Sequence, residues 1–193
     1  MEFEEMKSLC IERLTETHRD GMPKLIQWME NNGFFDAPAS TRFHSCHKHG
    51  LLEHSHNVYA ALKAKQNSPV WSSFLKERED AITITAYLHD LCKSNLYDIE
   101  MRNKKNEFGV WEQVPYYTTN PRIPYGHGEC SVMIASEFIR FTADERYAIR
   151  WHMGWSEPKE NYSMLGAAMK KCPLILALHE ADQEATYLYE KQE

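Results

Sequence analysis

Apolar residues recur along most of this chain at the three-and-four spacing of amphipathic helices. Phe3, Met6, Leu9, Cys10 and Leu14 predict a first helix. Leu25, Ile26 and Met29 predict a short second one, closed at Asn32-Gly33 by a glycine suited to the C′ position. Leu51, Leu52, Ser55, Val58, Tyr59 and Leu62 describe a longer helix, and Ala81, Ile84, Leu88 and Leu91 the next. The helical period then stops. Between about residues 96 and 125, Tyr97, Ile99 and Met101 lead into a polar run, Arg102 to Asn106, followed by Phe108, Val110, Trp111, Val114, Tyr116 and Tyr117. This predicts a β-hairpin turning at the polar run, with a loop bearing Pro115, Pro121 and Pro124 behind it. Helices resume with Cys130, Ile134, Phe138 and Phe141. Thr142 to Glu145 has the pattern of a capping box, and Pro173 suits the first position of a last helix carrying Leu174, Leu178, Ala181, Ala185 and Leu188. The expectation is one mostly α domain over residues 1–193, with a hairpin insertion around 96–125.

Several of these helices carry an ionisable residue on or beside the apolar stripe. Asp182 lies four residues after Leu178, His54 four before Val58, and His89 directly after Leu88. His127 lies seven before Ile134, and His152 three after Ile149 in a helix that Gly154 is expected to end. A single histidine in such a place is ordinarily a hydrogen-bonded core residue. A carboxylate is harder to accommodate, because a buried one must be paired or bind a metal. With five helices doing this in one small domain, a divalent cation that satisfies the groups together is the economical reading.

Composition narrows the classes. In 193 residues, 42% are hydrophobic and 26% charged, which argues against disorder. Lys and Arg number 22 against 28 Asp and Glu, a net charge of −6, so there is no overall field for holding a polyanion. The five cysteines are scattered and never form CxxC, which disfavours a disulfide framework or a cysteine zinc finger. The MEFEEMK start lacks an apolar signal region, and apolar runs such as LILAL are far shorter than the ~20 residues of a membrane span. A soluble cytoplasmic protein is expected. Histidine is the outlier: ten in all, five of them between residues 44 and 56.

The most pointed local signal is LHDLCK at 88–93, an adjacent His-Asp pair able to chelate one ion or bridge two. With HGLLEHS (49–55), GHGE (126–129), IRWHMG (149–154) and LHEAD (178–182) in order, the chain resembles the HD-domain metal-dependent phosphohydrolases. It is most similar to the small stand-alone members found in bacterial and prophage genomes. Adding the stretch Pro38–His47 and the trailing EAT (184–186), the resemblance covers about three quarters of the chain. It implies an HD-type helical bundle in which His54, His89, Asp90 and Asp182 hold one divalent ion. His127 and His152 match the extra histidines of the dinuclear branch, where the aspartate corresponding to Asp90 bridges both ions. Lys93 matches the lysine that contacts substrate phosphate, so Asp90 and Lys93 are the catalytic candidates. The family usually reads His-Asp-x-Gly-Lys, and here Cys92 stands in place of the glycine.

The implied activity is hydrolysis of a phosphate ester, of a nucleotide or similar small molecule, by a metal-activated hydroxide. The same ligands accept Mn, Fe, Co, Ni, Zn or Mg. Arg42 and Arg122 are candidates for holding the substrate, beside Arg102, Lys104 and Lys105, whose plainer role is a solvated loop. The close-set histidines from His44 to His49 make a poor second metal site, and His44 or His47 is better read as a neighbour of the ligands or of substrate. Glu53 and Glu129 either orient imidazoles or are simply exposed on the surface. Phe108, Trp111, Tyr116 and Tyr117 either form a lid that stacks a base or pack the hairpin onto the helical body. Two further readings stand beside the first: an HD-type 3′–5′ exoribonuclease, disfavoured by net charge, and a non-catalytic metal- or nucleotide-binding module.

Overall fold

Helix α5 (Glu79–Leu88) runs through the centre of the molecule, with every residue from Ile82 to Leu88 buried. A helix that is apolar nearly all round belongs in a core rather than on a surface. In the computed structural model, which describes residues 1–42 and 45–190, α5 packs against α3 (Gly50–Gln66) and α7 (Ala143–Trp151). Helix α9 (Pro173–Glu184) lies across α3 and α7, and α6 (His127–Ser136) packs on α7. Helices α1 (Phe3–Glu16) and α2 (Met22–Asn31) cover one side, and α4 (Ser72–Leu75) and α8 (Tyr162–Lys171) the other. The protein is mostly helical, as expected. No helix among the described residues is long and apolar enough to cross a membrane.

The buried side chains form two apolar clusters. One gathers Leu14, Leu25, Met29 and Phe34 with Leu51, Leu52, Ile84, Tyr87, Leu88 and Ile149. The other joins Val58, Ala61, Leu62, Ile82, Ala86, Ala148 and Trp151 to the apolar face of α9. Helices α3, α5 and α7 feed both clusters. Each fully buried Leu or Ile contributes about 1.5–3 kcal/mol. These two clusters therefore supply the stability against which the polar groups between them are held.

Local signals account for the helix ends. Gly33 takes φ +81° just beyond α2, the left-handed conformation expected at C′. The capping box forms: Thr142 Oγ1 accepts from the Glu145 amide at 3.3 Å, and the Glu145 carboxylate accepts from the Thr142 amide at 2.7 Å. Pro173 opens α9. Gly128 serves a different need. A Cβ there would lie 2.6 Å from the Ile149 carbonyl oxygen, so only glycine lets the start of α6 press against the end of α7.

Four expectations are corrected. Helix α6 stops at Ser136 instead of running on to Phe141: the Phe138 and Ile139 amides both donate to the Ala135 carbonyl at 3.0 Å, and the chain then leaves the helical path with Ile139 and Phe141 buried in the first cluster. The hairpin turns at residues 106–110, not 102–106. Strands β1 (Tyr97–Lys105) and β2 (Trp111–Thr119) pair antiparallel, and Asn106 Oδ1 accepts from the amides of Phe108 and Val110 while Gly109 takes φ +75°. Pro115 sits within β2 opposite Met101, tolerated because a two-stranded sheet consists only of edges. The last α-helix ends at Glu184 and gives way to a π-helical turn, Ala185–Tyr189, which leaves Leu188 73% exposed. Helices α4 and α8 are additions to the expected set. Leu75 and Leu165 are their sole fully buried residues, too narrow an apolar stripe to read from sequence.

Candidate metal centre

Five helices each bring one of the anticipated residues to the seam between the two clusters. His54 comes from α3, His89 from the end of α5, His127 from the first residue of α6, His152 from just past α7, and Asp182 from α9. His54, His89, Asp90 and His152 are buried, and His127 and Asp182 are partly so. The ligand atoms of His54, His89 and Asp182 lie within 4.8 Å of one another, as do those of His89, Asp90 and His152.

Asp90 stands at the middle. The backbone leaves the α5 helix there (φ −106°, ψ 19°) and enters a 3₁₀ turn, Leu91–Asn95. Its two carboxylate oxygens face different partners. Oδ1 lies 2.5 Å from His127 Nε2 and 3.6 Å from His152 Nε2. Oδ2 lies 3.4 Å from His89 Nε2, 3.8 Å from His54 Nε2 and 2.7 Å from Lys93 Nζ. His54 Nε2 is 3.1 Å from Asp182 Oδ1 and 3.3 Å from His89 Nε2. Around Asp90 the structure therefore brings His54, His89 and Asp182 together on one side and His127 and His152 on the other, with His127 outside both groups whose atoms lie within 4.8 Å of one another. His89 belongs to both groups.

The outward nitrogens define what the inward ones can do. His89 Nδ1 donates to the Ala86 carbonyl at 2.9 Å, and His152 Nδ1 to the Ile149 carbonyl at 2.7 Å. His54 Nδ1 donates to the Glu190 carboxylate at 2.8 Å. A carbonyl or carboxylate oxygen only accepts, so these rings carry hydrogen on Nδ1 and, when neutral, turn a lone pair inward on Nε2. Two such lone pairs 3.3 Å apart, flanked by two carboxylates, make a place suited to positive charge, whether a metal ion or a proton on His54. This donor set of imidazole nitrogens and carboxylates fits a divalent first-row metal.

Charge around the centre agrees. Burial alone would lower the pKa of His54, but hydrogen bonds and charge from Asp182 and Glu190 raise it to about 10. Burial would raise Asp90 and Asp182. Lys93, His89 and His127 outweigh it for the first, and His54 for the second, holding both carboxyls well below their usual range. Burial would lower Lys93, and Asp90 reverses this. Three buried or nearly buried carboxylates, Asp90, Asp182 and Glu190, thus surround His54 and Lys93, and the charge is balanced by one ammonium and a proton on His54.

This has a pH consequence. The folded-state pKa of His54 lies above its ordinary 6.5, so its contribution to stability is complete below about pH 6.5 and is lost as pH rises through about 10. Asp182, held low, contributes above its ordinary range and loses that contribution only in acid. Metal-free protein should therefore show a melting temperature that falls between about pH 6.5 and 10. Protein loaded with a divalent ion should lose most of that slope, because no His54 proton remains to be released. Equal slopes with and without metal would contradict this.

The remaining candidates fall around this centre unevenly. Arg122 donates to the Asn95 carbonyl and pairs with Asp98 at 3.2 Å. It lines a cavity of about 480 Å³ with His127, Cys92, Trp28 and Tyr125. Arg42 bonds the Tyr116 hydroxyl and lines a second cavity of about 830 Å³ with Ser45, His47, Glu53 and Tyr189. Trp111 lies at the distal end of the hairpin, paired across the ladder with Lys105 and roughly 27 Å of strand from Tyr97. This places it at the end of the hairpin remote from Tyr97 and the 3₁₀ turn that carries Lys93. Phe108, 81% exposed, lies at the same tip. Tyr116 and Tyr117 instead pack the hairpin: Tyr116 lies against Arg42 and Arg102, and Tyr117 against Tyr97. His44 lies outside the described residues.

Neither carboxylate expected to orient an imidazole does so for a ligand. Glu53 pairs with the exposed His47, and Glu129 with Arg150. The residue that does is Glu190, which sequence reasoning missed, since nothing in YLYEKQE distinguishes it from a solvated glutamate. Cys92, where the resembled family has glycine, keeps its backbone out of the left-handed region. Its thiol lies 3.0 Å from His127 Nδ1, and its amide donates to Ser131 Oγ at 3.1 Å. The side chain at this position thus sits against His127. The chain matches no protein-family model, no curated protein and no solved structure.

Proposed function

We propose that this protein is a metal-dependent phosphohydrolase of the HD-domain type, acting on a nucleotide-sized phosphate ester. The observation that carries the reading is Asp90: one oxygen faces His127 and His152, the other faces His54, His89 and Lys93. That arrangement supports a carboxylate that would serve two ions, beside a cation that would hold the phosphate. Divalent ions held by these six residues would acidify water and neutralise charge developing on phosphate oxygens.

The chain's own residues supply the rest. Lys93, its side chain only 14% exposed and held 2.7 Å from Asp90, keeps its charge and presents it in a water-poor setting where it is worth more than in solvent. The Nδ1 bonds of His54, His89 and His152 fix three ring orientations before any ligand arrives. The cavity beside His127 has mainly apolar walls and a few polar groups, Arg122 and Asn95 among them, a combination common in small-ligand sites. A small ester also suits an acidic chain, which gains little from counterion release on a long polyanion.

The test is a hydrolysis screen of nucleoside mono- and triphosphates and labelled single-stranded RNA with Mn²⁺, Co²⁺, Ni²⁺, Zn²⁺ and Mg²⁺ in turn. Turnover of a nucleotide is expected. RNA degradation without nucleotide turnover would favour the exoribonuclease reading, and metal binding with no hydrolysis of any substrate the non-catalytic one. In the same assay, His127→Ala and His152→Ala should each retain about one ion per chain and lose most turnover. Near wild-type rates in both would mean that these histidines are core residues and one ion suffices.

A further inference from the structure

We propose that Glu190 is a positioning residue for the metal centre. It would hold His54 in the Nδ1–H form and so commit Nε2 to the metal. The inference rests on the metal-centre reading above. Glu190 is only 6% exposed, and among the described residues donors from three side chains meet its carboxylate. Oε1 accepts from His54 Nδ1 at 2.8 Å and from Asn57 Nδ2 at 3.4 Å, and Oε2 accepts from Ser45 Oγ at 2.8 Å. Burying a carboxylate is costly unless it is paired and hydrogen-bonded, and these three contacts meet that requirement.

The need for such a residue is visible in the other rings. His89 and His152 each use a carbonyl three residues back in their own helix. The corresponding carbonyl for His54, that of Leu51, already accepts from Ser55 Oγ at 2.8 Å. His54 is instead tied to a residue 136 positions away. The tie depends on the π-helical turn Ala185–Tyr189, closed by the Glu190 amide donating to the Ala185 carbonyl at 3.0 Å. Single π turns recur at functional sites. This one displaces the chain after Tyr189 from the α-helical path, and the residue it redirects is a carboxylate. A carboxylate on the outward nitrogen makes an imidazole a stronger ligand, and loss of such partners typically weakens metal binding about 10–100-fold.

The experiment compares the full chain with Glu190→Gln, Glu190→Leu and His54→Ala. It measures Zn²⁺ affinity by chelator competition, and His54 ring ¹⁵N shifts in the Zn²⁺-loaded protein. Glu190→Leu, of similar size but without an acceptor, should weaken Zn²⁺ binding about 10–100-fold, and Glu190→Gln, which keeps one acceptor oxygen, by less. Wild-type His54 should show protonated Nδ1 and metal-bound Nε2. Wild-type affinity in Glu190→Leu, alongside weakened binding in His54→Ala, would overturn the role of Glu190 while leaving the metal centre standing. If Glu190→Leu does not fold, affinity and His54 shifts in Glu190→Gln identical to wild type would overturn it equally. No Zn²⁺ binding by the wild type, or none lost in His54→Ala, would instead sink the metal-centre reading and this inference with it.

Discussion

Replacing Asp90 with alanine should remove bound metal and hydrolytic activity together. Its carboxylate lies within 4 Å of His54, His89, Lys93, His127 and His152 at once, so its loss disconnects the two halves of the centre. The change also strands Lys93, whose side chain is half-buried and whose ammonium rests on Asp90 Oδ2. Removing one partner of a buried ion pair typically costs about 3–5 kcal/mol, so the variant should also melt well below metal-free wild type. Asp90→Asn separates the two effects, because it keeps the shape and one acceptor oxygen. It should fold more stably than Asp90→Ala and still bind metal poorly. Elemental analysis of protein prepared without chelator, with activity and melting curves on the same samples, checks all three. Full metal occupancy in both Asp90→Ala and Asp182→Ala would remove the basis for the assignment.

Lys93→Met should do the opposite: keep the metal and lose the rate. Methionine preserves most of the side chain's length and apolar stem, so packing against the 3₁₀ turn survives while the charge does not. Removing one preorganised electrostatic contact to a transition state costs about 10²–10³-fold in kcat. Without metal, the variant should be destabilised, because Asp90 loses the ammonium that rests on its Oδ2. With metal bound, its melting temperature should return close to wild type, since the ions then compensate the carboxylate. Single-turnover rates and melting curves with and without Mn²⁺ measure this. A near wild-type rate would remove Lys93 from the chemistry. Loss of metal would instead make it a structural partner of Asp90.

Much of the scaffold was legible because it depends on short-range rules. The Thr142 box, the Pro173 start and the Gly33 stop each act within one turn of backbone, and each appears where its local pattern lies. The polar residues on apolar faces were legible for the same reason. A histidine or aspartate at helical spacing among Leu and Ile must enter the core along with them, whatever partner it finds there. His54, His89, His152 and Asp182 converge accordingly.

The hairpin turn was missed for a local reason, and tertiary packing decided the remainder. Arg102 to Lys105 looked like a turn by composition, yet they form strand because Asn106 and Gly109 make the tighter turn beyond them. Trp111 looked like a pocket residue by type, yet nine paired positions of strand hold it at the far end of the hairpin. Glu190 looked solvated, because its role depends on one π turn and on Ser45 and His54 far away in sequence. Periodicity shows which side chains must leave water. Which acceptor an imidazole such as His54 then meets is set by contacts between residues more than a hundred positions apart, and those exist only once the helices have packed.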